Sequence, residues 1–372
     1  MNFKKTNKKI CAAITAGIMG LTLSVPILPA PTACALGIGD IVGIGGTVYS
    51  ASQAYKAIDK QIKTFNETEE GREELYQQFR QQNGVNTDPA INARMDSIMQ
   101  NLTRAVGEID PSIYDKPYKY FVSNDETLNA ACSYGHVMMV NIGAFNYLAT
   151  DDEIAAIVGH EMGHGQKNHL AKGNKKKLNK LVVAQIGSAA IGGGVIASAV
   201  AAVAANNSVA HGDKKLETEA DNLSWEYMLH TDYNIGAGAA VMQRLSELYG
   251  GKARNKLKAI LNPSNHPNTD SRRDNYVKRL YEYSGKHATA ADGLVTINKK
   301  DFITPAATSN MSSAERSYFV LGNLAKAYHN GQNQYEATVS NGTVYLGNQP
   351  IITPVAGDES AQAIADRLNE IK

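Results

Sequence analysis

The sequence predicts an α+β fold that is mainly helical, with a small sheet beside one histidine-bearing helix and a small C-terminal α/β module. Three observations carry this. Apolar residues recur at helical spacing through much of residues 51–283. Two short alternating segments, about residues 118–123 and 136–140, stand directly before the stretch Asp151–His164. Beyond Gly285 the text changes to short strands, a hairpin signal and two helical segments.

A chain of 372 residues has room for one large domain and a smaller module. The boundaries expected are a signal peptide at 1–35, a Gly-rich lead-in at 36–50, the main domain at 51–285 and the module at 286–372. Lysine and arginine number 37 against 36 acidic residues, so nothing in the charge suggests nucleic acid as a partner.

The first segment reads as an export signal and not as part of the fold. Lys4, Lys5, Lys8 and Lys9 precede the apolar run Ile10–Leu28, Pro29 and Pro31 break it, and Ala33-Cys34-Ala35 offers small residues for cleavage after Ala35. Lipidation at Cys34 and retention as a membrane anchor are the alternatives. Either exported form places the protein in the periplasm or cell envelope. Cleavage leaves Cys132 as the lone thiol, which excludes an intramolecular disulfide.

From Ala51 to Gln82 the chain reads as helical, with Tyr55, Ile58, Ile62, Phe65, Leu75 and Phe79 as an apolar stripe. Asn83-Gly84 stops it. Thr87-Asp88-Pro89 opens a second helix that buries Ile91, Met95, Ile98 and Leu102 and ends at Asp110-Pro111. Tyr118–Ser123 and His136–Val140 then read as strands. A strand beside a metal helix is a candidate edge on which a peptide pairs by its backbone.

In Asp151–His164, Ile154, Ile157 and Val158 mark a mostly buried helix. His160 and His164 lie one turn apart on it, so both imidazoles project from one face toward a shared metal ion. Glu161 sits about 100° round from His160, suited to a water beside the metal rather than to the metal itself. This is the His-Glu-x-x-His signature of zinc proteases.

A third ligand is needed. A His six residues past His164 would make one type of site, but Leu170 stands there and His169 falls one residue short. The alternative is a carboxylate from the later helix that opens at Lys214. Glu217 and Asp221 share a face of it, whereas Glu219 points elsewhere. Either could bind the ion while the other orients an imidazole through its ring N–H.

Between these motifs lie a lysine patch (Lys167, Lys172, Lys175–Lys177, Lys180) and the uncharged stretch 181–205, rich in Ala, Gly and Ser. Gly192–Gly194 breaks it too much for a single span, and two close-packed small-residue helices fit it better than a membrane-dipping hairpin. With the N-terminal segment, it is the candidate for membrane association. A final basic helix is expected at about Asp270–Tyr283. In the module, Leu294–Ile297 reads as a strand, Ser312–Glu315 as a capping box opening a helix to about Tyr328, and Asn341-Gly342 as a hairpin turn between Tyr335–Val339 and Val344–Leu346. Ala361–Ile371 closes as an amphipathic helix. No internal repeat is evident.

Taken with Glu217-Thr218-Glu219-Ala220-Asp221, His266-Pro267 and Arg272, the His160–His164 motif resembles the HtpX-like and CAAX-prenyl-protein endopeptidases. These are gluzincin zinc metallopeptidases, and the style here is that of the soluble periplasmic and Oma-type members. The resemblance covers about residues 65–285. It implies one zinc ion per chain held by His160, His164 and Glu217, with Asp221 behind them. It implies Glu161 as general base, His266 and Arg272 as groups that hold substrate or the developing oxyanion, and protein or peptide substrates in envelope quality control. The multi-span membrane core of the prenyl-protein members is missing, so a prenylated substrate is not expected. The rival class is a chaperone-like or assembly factor with a structural or latched zinc site; the complete Glu161 argues against it.

Overall fold

The protein is described by a computed structural model at residue 56 and residues 59–176, 214–250 and 269–372. The signal segment, the lead-in, residues 181–205 and His266 lie outside the described residues. The described part is mainly helical, with three three-stranded sheets.

The expected helix 51–82 is interrupted. Residues 59–67 are helical, Thr68 is extended, and its side chain accepts from the Gly71 amide to cap α1, Glu69–Asn83. The polar Thr-Glu-Glu run hid this cap, since it suits a helix interior as well as a helix start. α2, Pro89–Ile109, begins as expected, with the Asp88 carboxylate accepting from Ala90 and Ile91 and proline at the first turn.

The first sheet holds β1 (Lys119–Ser123), β2 (Ala130–Cys132) and β3 (Val137–Asn141) in the order β1-β3-β2. β3 pairs parallel to β1 and antiparallel to β2. The strand expected at His136–Val140 is therefore the centre of the sheet and not its edge. The edge beside the metal helix is β2, too short to show alternation in sequence. Between β2 and β3 the chain turns through Gly135 and His136, both left-handed (φ 62° and 61°). Arg72 donates to the Gly135 and Pro117 carbonyls and ties this turn to α1.

A short α3 (Ile142–Tyr147) leads to α4 (Asp151–Gln166). Thr150 and Glu153 form a reciprocal capping box at its start. α5 (Lys214–Leu229), α6 (Ala237–Gly250) and α7 (Thr269–Tyr283) complete the main helices. Among the described residues no helix is long and apolar enough to cross a membrane.

Residues 288–371 contain a repeat that the sequence reading missed. β4 (Ala288–Ala291), β5 (Leu294–Ile297), β6 (Lys300–Ile303) and α8 (Ser313–His329) are followed by β7 (Ala337–Ser340), β8 (Thr343–Leu346), β9 (Gln349–Ile352) and α9 (Ala361–Ile371). Ala288 pairs with Ile297 as Ala337 pairs with Leu346, and the register shifts at Val295/Thr296 just as at Val344/Tyr345. In both copies the third strand runs out in Ile-Thr-Pro, and Ala288-Thr289, Gly293 and Val295 recur as Ala337-Thr338, Gly342 and Val344. The two helices differ in length and share no such pattern, and this hid the duplication.

The copies are crossed. α8 packs on β4 and β5 of its own copy and on β9 of the other; α9 packs on β7, β8 and on β6. Asn323 on α8 donates to the Ile351 carbonyl, and Arg367 on α9 donates to that of Phe302, the matching position. α8 also lies against α6 and α7, so one hydrophobic core runs from Met95 to Ile371. Arg244 on α6 bolts the two regions together. It pairs with the buried carboxylates of Glu153 and Glu315, the capping-box acids of α4 and α8, and donates to the Tyr147 and Asn310 carbonyls.

Candidate metal centre

Three helices each contribute two side chains one turn apart: His160 and His164 from α4, Glu217 and Asp221 from α5, Arg272 and Tyr276 from α7. All but Arg272 are buried outright, and the Arg272 side chain is only 10% exposed. Glycine lets the first two helices meet. A Cβ on Gly159 would stand 3.2 Å from the Ser224 hydroxyl, and one on Gly163 only 3.1–3.2 Å from the Ala220 backbone. The Ser224 hydroxyl donates to the Ala156 carbonyl at the same crossing.

His160 Nε2 lies 3.1 Å from His164 Nε2, and Glu217 offers Oε2 at 3.4 Å to the first and Oε1 at 3.4 Å to the second. Tetrahedral ligands about 2.0–2.1 Å from a zinc ion stand roughly 3.3 Å apart. The triangle of donors has that size, and its two nitrogens and one carboxylate suit zinc chemically. Among the described residues it is the group of His, Cys, Asp and Glu that could hold a metal ion.

Behind the triangle, His160 Nδ1 faces Asp221 Oδ1 at 3.0 Å. Arg272 donates to both oxygens of Asp221, and the Tyr276 hydroxyl donates to Oδ1. Burial alone would raise the Asp221 pKa, but Arg272 outweighs it and holds the carboxyl well below its ordinary range. Burial and Arg272 oppose a charge on His160; Asp221 and Glu217 overcome them and push its pKa up to about 9. His164 moves the other way, to about 3, through burial and the neighbouring His160.

Glu161 points to the sheet side. Its Oε2 accepts the Cys132 amide of β2 at 2.9 Å, so the edge strand holds the carboxylate beside the two histidines. Arg272 is close to the centre, yet Nε and Nη2 engage Asp221, while Nη1 stands 3.9 Å from Glu217. His266 lies outside the described residues. Tyr276 is an addition to the residues expected from sequence, where its one signal is its place one turn after Arg272. His169 is another, standing in sequence only as a histidine one residue short of a ligand position.

Residues 89–279, more than half of the chain, match Peptidase family M48. The chain belongs to this family. Among relatives, it is 23% identical to the metalloprotease LoiP of Escherichia coli (strain K12) over 215 residues, 57% of this chain and 80% of that protein. It is 27% identical to the mitochondrial metalloendopeptidase OMA1 of Arabidopsis thaliana over 157 residues, 39% of this chain and 32% of that protein. To the beta-barrel assembly-enhancing protease of Escherichia coli (strain K12) it is 19% identical over 166 residues, 42% of this chain and 33% of that protein. The chain thus spans about a third of the length of the latter two. The M48 match takes in α2 through α7 up to Arg279 and leaves the duplicated region outside it.

Proposed function

We propose that this M48 chain is a zinc-dependent metalloendopeptidase acting on exported or envelope proteins, in the service of protein quality control. The observation that carries the reading is the buried donor triangle of His160, His164 and Glu217 with Glu161 next to it. The relatives named as proteases, one of them for beta-barrel assembly, support the substrate class and an envelope location. The basic-then-apolar N-terminal segment supports export.

Zinc in this site supplies a Lewis acid that brings the pKa of a water near 7. The chain supplies the rest. Glu161 takes the proton from the attacking water and returns it to the leaving amine, a role worth about 10²–10⁴-fold in rate. The Cys132 amide steers that carboxylate. Among the described residues β2 has β3 as its one strand neighbour, and we assign to this edge, beside Glu161, the lining up of an extended peptide. Arg272, with two of its donors on Asp221, acts mainly by fixing Asp221 and, through it, His160. The role assigned to His266 is oxyanion stabilisation.

The test is zinc content and casein cleavage by purified wild type and Glu161→Gln. One zinc per chain in both, with cleavage only in the wild type, is the expected result. A zinc-loaded wild type that cleaves neither casein nor unfolded protein would support the chaperone-like reading instead.

A further inference from the structure

His169 is buried, and both of its ring nitrogens are engaged. α4 ends at Gln166, and Asn168 adopts a left-handed backbone (φ 52°), which asparagine tolerates better than most residues. The turn brings His169 back against His164, with ring centroids 4.9 Å apart and planes at 76°. Nδ1 of His169 lies 2.8 Å from Nδ1 of His164, and its Nε2 lies 3.2 Å from Oε2 of Glu219.

This mirrors the other side of the site. Each candidate ligand imidazole turns Nε2 inward to the donor triangle and Nδ1 outward. His160 meets a carboxylate directly, in Asp221; His164 meets one through a second imidazole. Both carboxylates come from α5, two and four residues after Glu217. Only one assignment of protons satisfies the chain of contacts while leaving His164 Nε2 a lone pair for metal. His164 Nδ1–H donates to His169 Nδ1, and His169 Nε2–H donates to the half-exposed Glu219.

We infer that His169 and Glu219 form a relay that fixes the tautomer and ring orientation of His164, making His169 a positioning residue for the metal. The inference rests on the metal-site reading above. Outer partners of a ligand histidine typically govern affinity by about 10–100-fold. A residue that only filled space would be replaced adequately by leucine.

The experiment is competition for zinc against a chromophoric chelator, with zinc release rates, on the full chain carrying His169→Leu, His169→Asn, Glu219→Ala or Glu217→Gln. His169→Leu should weaken zinc binding about 10–100-fold. His169→Asn, whose side-chain oxygen can accept from His164 Nδ1–H, should recover part of the loss. Glu219→Ala, at the exposed end, should speed zinc release severalfold with no loss of fold. The apo protein should show His164 protonated at Nδ1 by nitrogen chemical shift, and His169→Leu should mix the tautomers. Wild-type zinc affinity in a folded His169→Leu, or unchanged release in Glu219→Ala, would overturn the relay. Wild-type zinc binding in Glu217→Gln would instead overturn the metal site on which it rests.

Discussion

Arg272 closes on Asp221 as a fork, Nε to Oδ2 at 2.8 Å and Nη2 to Oδ1 at 2.6 Å. A planar guanidinium is needed for such a pair, and lysine cannot reproduce it. Since Asp221 also faces His160 Nδ1, the fork sets how that imidazole is aimed. Arg272→Lys should therefore bind zinc about tenfold more weakly while remaining folded. Arg272→Ala leaves a buried carboxylate without its cation and should cost about 3–5 kcal/mol of stability. Chelator competition and denaturant unfolding check the two; equal behaviour of Lys and Ala variants would show that the fork geometry is irrelevant.

The roles proposed for Glu161 and Glu217 predict different losses. Glu161→Gln should keep zinc at one per chain and lose about 10²–10⁴-fold in turnover. Glu217→Gln should lose zinc during dialysis. Metal analysis beside a peptide-cleavage assay distinguishes them, and zinc loss from the Glu161 variant would contradict the assignment.

Arg244 holds two carboxylates that would otherwise be buried without a cation. Arg244→Met should destabilise the protein by about 3–5 kcal/mol. Measured at pH 8, above the Glu315 pKa of about 7, adding Glu315→Gln to that variant should recover part of the loss, because a carboxyl that can ionise there without its cation is gone. Additive effects in urea unfolding would mean that Arg244 and Glu315 do not interact energetically.

Burial raises the Glu315 pKa from 4.5 to about 7, with Ser312 and Arg244 only partly offsetting it. The folded state then holds this proton more tightly than the unfolded one. Its stabilising contribution is complete below about pH 4.5 and is lost as pH rises through 7, a change of no more than about 3 kcal/mol. Glu315→Gln keeps an oxygen acceptor for the Ser312 amide and for Arg244. Its melting temperature should fall less than that of wild type between pH 5 and pH 8; identical slopes would remove Glu315 as the source.

The sequence carried the parts of the site that one helix defines and obscured those that need several. His160 with His164, and Glu217 with Asp221, were readable because one turn of helix places each pair on a face. The capping box at Ser312, the start at Asp88-Pro89 and the Asn341-Gly342 turn were readable for the same local reason. β2 was not, because three residues cannot display a period. The order β1-β3-β2 was not, since pairing joins residues with no sequence signal between them. His169 was noticed only as a ligand in the wrong place. Its partner Glu219 looked unrelated because it leaves α5 on a different side from Glu217, and the left-handed turn at Asn168 that joins the two is invisible to periodicity.

The crossed packing of the duplicated region bears on how the protein is made. While the chain is being synthesised, α8 emerges well before β9, its cover from the other copy, and β6 waits still longer for α9. α8 also forms one wall for α6 and α7, and α7 supplies Arg272. Arg272 and Tyr276 are thus backed by a helix that begins roughly forty residues later, whose own cover follows later still. A chain interrupted before α8 would carry the residues of the candidate site without the wall that backs α7.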